Sequence, residues 1–425
     1  MTRIKAILAC VVLLGLTSAS CTRYFSRDSA AVAKLAEPVR ISLENADSAE
    51  PAVAAGPQGT AFVTWVEHRP KKEADVMVAQ IDREGKPMGE PVRVNPNAGE
   101  ATAWRGDAPT LSVAADGTVY VGWAARDATK AHASILYLSA SRDGGRSFAP
   151  PTKVNDDEKP GEHGMHSLAV SQDGRIHLAW LDERNLKPAA EQHAAGGKKM
   201  EQMEQNKEVF TAFSTDGGRS FSKNQRIAGE ACPCCKTSVA MGADGRVYIG
   251  WRQVLPGEYR HIAIASSADS GATYSNPVIV SDDKWLIAGC PVSGPALSVA
   301  SDGTLSVMWY TEGERGTTGL YWAESRDQGK TFSERKLFAG GQAFGNPLLL
   351  SNEAGKLLAV WGNNDGGTPR LMAAPLATEG KENAPLATSA ELPSAALTGD
   401  QLFIGYITSA NDRRSIWVLR AKPTA

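Results

Sequence analysis

The chain has 425 residues, a net charge of −2 and no stripe of Lys and Arg, which excludes the electrostatic footprint of a nucleic-acid binder. Forty-one Gly and ten Trp, set among short alternating runs, suit a turn-rich β protein. Past the first twenty residues no apolar run is long enough to span a bilayer.

The chain opens with Arg3 and Lys5, then the apolar run Ala6–Leu16, then small residues up to Cys21. That order predicts a signal peptide over residues 1–20. The stretch Ser18 to Cys21 resembles a bacterial lipobox, with Ser18 where the pattern has Leu and Leu16 two residues further back. Cys21 is therefore the expected lipidation site, with ordinary secretion as the alternative. Thr22, rather than Asp, resembles outer-membrane sorting. Residues 21–36 read as a tether and residues 37–425 as one repeat domain. The expected location is the cell envelope, with the membrane reached through the lipid only. Thiols there tend to oxidise.

From Pro38 onward the reading is of strands. Pro38–Leu43 has strand character but no repeat of its own. Then a turn Gly followed six residues later by Trp recurs: Gly59/Trp65, Gly117/Trp123, Gly174/Trp180, Gly245/Trp251, Gly303/Trp309 and Gly355/Trp361. The runs between them are hairpin strands. A seventh copy runs from Asp400 to Tyr406. The Trp residues lie 58, 57, 71, 58 and 52 residues apart, which locates an insertion in the third repeat, from Leu181 to about Gln205. Its Ala, Glu, Gln, Lys and Met favour helix, and it reads as a lid or a solvated loop.

Each repeat is expected to hold four strands. In repeat 5 they are Pro295–Val299, Thr304–Trp309, Gly319–Glu324 and Arg335–Phe338. Repeat 7 stops after the strand Ser415–Leu419. The N-terminal strand can fill the place it leaves and remove an exposed sheet edge.

Between the third and fourth strands of four repeats sits one pattern. It is Ser141, Asp143, Gly145, Ser147 and Phe148; then Ser214, Asp216, Gly218, Ser220 and Phe221; then Ser267, Asp269, Gly271, Thr273 and Tyr274; then Ser325, Asp327, Gly329, Thr331 and Phe332. Asp can accept bonds from the N–H groups of its own turn, Gly takes the left-handed position, and the aromatic packs back beneath. Repeats 1 and 6 carry degraded versions near Gly85 and Gly380. The pattern resembles the Asp box of the sialidase (BNR-repeat) superfamily. That resemblance and the repeat together predict an all-β fold: a β-propeller of four-stranded blades, its ring closed by the N-terminal strand. Seven hairpins put seven blades ahead of the six of typical sialidases. A linear β array or two sandwiches is the competing architecture.

The topology puts the starts of first strands and the ends of second strands on one face, with the Asp boxes on the other. On the first face lie Arg105, Asp107, His163, His166, Cys232, Cys234, Cys235, Cys290 and Asn346. The loops after the second strands add Arg126, Asp182, Arg184, Arg252, Tyr310, Glu312 and Asn364. By the sialidase resemblance, Arg105 would clamp a sugar carboxylate with Arg252, Arg184 or Arg315 assisting. Asp107 would be the acid, and Tyr310 with Glu312 a nucleophile and its base. None of these sits in a tight motif. The incomplete set places a recognition propeller, binding glycan or protein as a monomer, ahead of a sialidase-like glycosidase. The third reading centres on the cysteines. They are expected either as disulfides or as a Cu or Zn site, with His163 and His166 in the neighbouring repeat as further ligands.

Overall fold

In a computed structural model of the chain, the described residues are 32–423, apart from 103–105, 131, 187–204, 288, 353 and 379–383. The signal peptide, Cys21, Arg105 and residues 187–204 of the repeat 3 insertion lie outside them. No helix among the described residues is long and apolar enough to cross a membrane.

The described chain is all-β, and its sheets are antiparallel meanders taken in sequence order. Repeat 5 is typical. Its strands are Ala296–Val299, Leu305–Thr311, Gly319–Ser325 and Lys336–Gly340, within a residue or two of the expected bounds. Repeats 1, 2, 5 and 6 each form a four-stranded sheet. Repeats 3 and 4 join into one nine-stranded sheet, because the strand Gln225–Ala231 reaches Gln253 of Val247–Leu255 through the pair Ala231↔Gln253. Repeat 7 contributes Glu391–Thr398, Gln401–Ala410 and Arg413–Pro423. The segments Val32–Leu35 and Val39–Arg40 pair antiparallel with the last of these, Val39 opposite Val418.

The apolar cores lie between consecutive repeats. Leu136 and Leu138 of repeat 2 meet Trp180 and Phe210 of repeat 3, and Val63 and Trp65 of repeat 1 meet Phe403 and Ile416 of repeat 7. The Trp after each turn is the centre of this packing: Trp65, Trp180, Trp251 and Trp309 are 0% exposed. Each buries roughly 150–250 Å², which at about 25 cal/mol per Å² is about 4–6 kcal/mol as an upper bound.

The Asp boxes are built as the sequence implies. In repeat 3, Ser214 Oγ donates to Asp216 Oδ1 at 2.8 Å, Ser220 N donates to the same oxygen at 3.0 Å, and Ser220 Oγ donates to Oδ2 at 2.6 Å. Gly218 N donates to Ser214 Oγ at 3.0 Å, with φ at +80°. The aromatics Phe148, Phe221, Tyr274 and Phe332 pack against four different cores.

These bonds hold the box carboxyls low. The Ser220, Thr273 and Thr331 hydroxyls, chiefly, draw Asp216, Asp269 and Asp327 from 3.8 to about 2, and Asp143 falls further. A depressed folded value means that the unfolded chain binds more protons in acid. The boxes' contribution to stability is therefore complete above about pH 4 and lost as pH falls through about 2. We expect Asp216→Asn to lower Tm by a few degrees at pH 7 and to make little difference at pH 2, measured by thermal unfolding across that range.

Candidate functional site

The first strands of the repeats lie side by side. Together they line a cavity of about 320 Å³, to which every repeat contributes. The walls are shaped by a recurring backbone kink. Glu50, Gly106, Met165, Val292, Gly345 and Leu392 all have φ between +46° and +100°, each at the approach to a first strand. All but Met165 line the cavity directly. Val and Leu rarely occupy this region, so the kinks are held by their surroundings at a cost. In repeats 1, 3, 6 and 7 the strand register slips at the same place, as a bulge does.

One polar cluster stands at this wall. Lys236, His166 and Asn346 line the cavity. Lys236 Nζ donates to Ala108 O, and Asn346 Oδ1 accepts from Gly294 N at 2.6 Å. Gly294 is obligatory here, since a Cβ would stand 2.0 Å from Lys236 O. Asp107 turns away from the cavity. Its Oδ1 accepts from Met165 N at 2.8 Å and stands 3.5 Å from His166 Nδ1. Gly164 permits that approach, because a Cβ there would meet Asp107 Oδ2 at 2.7 Å. Burial pushes the Asp107 carboxyl up, but the contact with His166, the charges of His166 and Lys236 and the Met165 N–H outweigh it, so the carboxyl stays below its ordinary value. Burial pushes Lys236 down to about 8, opposed by the Asp107 charge. Both ring nitrogens of the fully buried His166 lack a hydrogen-bond partner, as does Thr110 Oγ1. Asp107 thus backs the wall, while Lys236, His166 and Asn346 line the cavity.

Tyr310 and Glu312 do meet. Tyr310 Oη donates to Glu312 Oε1 at 2.5 Å. The phenol is 5% exposed and packs edge-on against Trp285. Burial, then the Glu312 hydrogen bond and charge, push its pKa well above the ordinary phenol value, against the Arg252 charge. Arg252 does not reach a mouth. It is 0% exposed, with Nε donating to Ser293 O and Nη2 to Tyr310 O, both at 2.9 Å, and its Cζ lies 4.7 Å from the centre of the Trp285 ring. Arg315 is exposed beside Asp282. Arg184 is bound by Asp182 and Asp156 and stacked on Phe210, so these three cations do not converge.

Asp182 is buried under that Arg184 and accepts from Trp180 Nε1 at 2.7 Å. His163 joins the same network. Its Nε2 is 3.1 Å from Asp157 and its Nδ1 is bonded to Ser134 O. Burial lowers its pKa but Asp157 and Asp182 raise it further, for a net rise. Neither His163 nor His166 joins the cysteine group: His163 is bound by Asp157, and His166 stands 3.5 Å from Asp107. Arg126 and Asn364 are exposed at loop ends.

The cysteines form a tight group. Cys232, Cys234 and Cys235 are buried, with Sγ atoms within 4.8 Å of one another, and Cys290 is exposed. No two are at disulfide distance. Donation from the Cys234 and Cys235 thiols, aided by the charges of Arg252 and Arg260, draws Cys232 down to about 3, while Cys234 and Cys235 are pushed up.

A family model described as "BNR repeat-like domain" matches residues 59–360. No curated protein matches the chain in sequence. Among solved structures, a protein of unknown function from Dyadobacter fermentans is 17% identical, over 92% of this chain and 99% of that one, with a TM-score of 0.54. The polysaccharide lyase Uly1 is 13% identical over 87% and 89%, with a TM-score of 0.54. A PL25 ulvan lyase is 10% identical over 89% and 95%, with a TM-score of 0.56. At these identities the likeness is one of fold. The repeats, their Asp boxes and the family match over most of its length place this chain in the BNR repeat-like family, with the β-propeller fold of the sialidase superfamily.

Proposed function

We propose that this chain is an exported, lipid-anchored propeller of seven blades that binds an acidic glycan at its axial cavity. The observation that carries the reading is the wall formed by Lys236, His166 and Asn346. It offers one cation, an imidazole with unmet hydrogen-bonding capacity and a side-chain amide within a cavity of about 320 Å³. A sugar needs such convergent polar groups on an otherwise apolar wall. The anion that also lines the cavity, Glu50, is occupied by His68 at 2.6 Å and by Arg414 at 3.6 Å, which leaves Lys236 to meet a carboxylate. Two proteins of similar fold are polysaccharide lyases, one bound to a GlcA(1-4)Rha3S unit, which supports a glycan as the ligand class.

The seven-blade reading rests on the core shared by repeats 1 and 7 and on the N-terminal strands that pair with Arg413–Pro423. Removing residues 32–40 exposes that edge. It is expected to lower Tm and promote association, seen by calorimetry and light scattering.

A second reading, glycoside hydrolysis, is favoured by the Tyr310–Glu312 hydrogen bond alone. It ranks second because the phenol is buried and held protonated. Its test is hydrolysis of a fluorogenic sialoside. We expect no turnover above background, and Tyr310→Phe leaves glycan binding unchanged. Turnover abolished by Tyr310→Phe would promote this reading over the first.

The binding proposal is tested on a panel of neutral, uronate-bearing and sialylated glycans. We expect acidic members only to bind, and Lys236→Met to weaken them about tenfold, the scale of one charge-assisted hydrogen bond. Affinity falls as pH rises through about 8, where Lys236 loses its proton, and the Lys236→Met profile is flat there. Equal binding of neutral and acidic glycans would overturn the charge assignment, and no binding by any member would overturn the reading.

A further inference from the structure

Nothing in the glycan reading uses the three buried sulfurs that precede the first strand of repeat 4. Cys232 Sγ stands 4.0 Å from Cys234 Sγ and 3.7 Å from Cys235 Sγ. A disulfide needs about 2.05 Å. Thiolates around a tetrahedral metal at about 2.3 Å are about 3.8 Å apart, and around a trigonal one about 4.0 Å. Both separations from Cys232 match the spacing of a coordination shell, and all three sulfurs lie within 4.8 Å of one another.

Their surroundings hold more buried positive charge than negative. Arg252 and Arg260 are 0% and 2% exposed, and both act on Cys232 through their charge. Among the described residues Arg252 has no carboxylate partner, and Arg260 has only Glu258, at 3.1 Å. Arg252 Nη1 and Arg260 Nε are buried with no hydrogen-bond partner. A buried guanidinium without a counter-charge is expensive, and a buried N–H without an acceptor adds to the cost. Isolated buried cysteines behave as small apolar groups and need no explanation. Three in contact, backed by two under-compensated arginines, are a different arrangement. Three thiolates on a monovalent cation carry two net negative charges, as do four on a divalent one. Either supplies what the two arginines lack. Cys290, exposed before the first strand of repeat 5, interacts with Cys234 from the solvent side.

We propose that Cys232, Cys234 and Cys235 bind a thiophilic d10 cation, Cu(I) or Zn(II), with Cys290 as the solvent-side ligand. Binding releases the remaining thiol protons and changes no oxidation state. Softness of the donors selects these cations over Mg(II), Ca(II) or Mn(II).

The test uses the full chain purified under argon with reductant. Elemental analysis is expected to find copper or zinc at about one per chain. Which of the two it finds identifies the cation. Thiols are then titrated in denaturant with chelator present, and Cys232, Cys234, Cys235 and Cys290 are expected to react without added reductant. Cys234→Ser/Cys235→Ser is expected to lose the metal. Because that double variant can also misfold, metal-stripped wild-type protein is titrated with Cu(I) and with Zn(II) against a chromophoric chelator. Cys290→Ser is expected to bind about tenfold more weakly while its circular dichroism is unchanged. The proposal is overturned if stripped protein with reactive thiols takes up neither cation, or if the four cysteines react only after reduction.

Discussion

Every sheet in this protein depends on packing against the next one. A four-stranded antiparallel sheet of this size has two apolar faces and cannot bury either alone. The large aromatic six residues beyond each turn supplies the contact, and Tyr406 fills the same place, 4% exposed, in repeat 7. The interleaved Trp residues set the distance and register between sheets. Once that register is set, the first strands must run side by side, and whatever precedes them is delivered to one cavity. The Asp boxes sit at the far corners and stabilise turns. Their exposure and saturated hydrogen bonding leave them no role at the cavity.

The constraint carries a cost where the first strands begin. The segments that lead into the first strands crowd one cavity, and the chain relieves the crowding with left-handed kinks and bulges. Glycine takes this conformation freely at Gly106 and Gly345. Met165, Val292 and Leu392 do not, and their conformations are sustained by the packing around them. The kink at Met165 has a visible consequence. It turns the Met165 N–H to Asp107 and sets the next side chain, His166, into the cavity wall. Strain and polar wall are two aspects of one piece of backbone.

Much of the architecture was legible in the sequence because its signals are local and repeated. The Gly–Trp interval, the Asp box and the strand bounds of repeat 5 each depend on a few neighbouring residues. The site was legible only in part. Asp107, His166 and Asn346 were expected on the right face, and Tyr310 was paired with Glu312. Arg252 was expected in an open mouth, but a single guanidinium that can span Ser293 O and Tyr310 O across two repeats is worth more buried, and sequence spacing does not show that. His163 and His166 looked like companions of the cysteines in the repeat pattern, yet each has a carboxylate from another segment. Lys236 was in plain view beside Cys235 and had no motif to mark it. The left-handed kinks are the clearest omission, since Val, Leu and Met do not advertise a positive φ.

The cavity wall and the sulfur trio share one short stretch of chain. Cys232, Cys234, Cys235 and Lys236 span five consecutive positions, and Cys235 N donates back to Cys232 O at 3.4 Å. Anything that fixes the three sulfurs also fixes the peptide from which Lys236 projects. On the other side, Arg252 donates to Ser293 O, and the adjacent Gly294 lies against Lys236 O while its N–H holds Asn346. The same arginine thus carries charge to Cys232 and holds the loop that positions a second residue of the wall. Polar groups in a cavity bind well only when their positions are prepaid, because ordering a free lysine on binding consumes part of the interaction. Arg252, Cys232, Cys234 and Cys235 are buried behind the wall and are not among the residues that line the cavity. On the glycan reading, their contribution is to hold Lys236 and Asn346 in place before a ligand arrives.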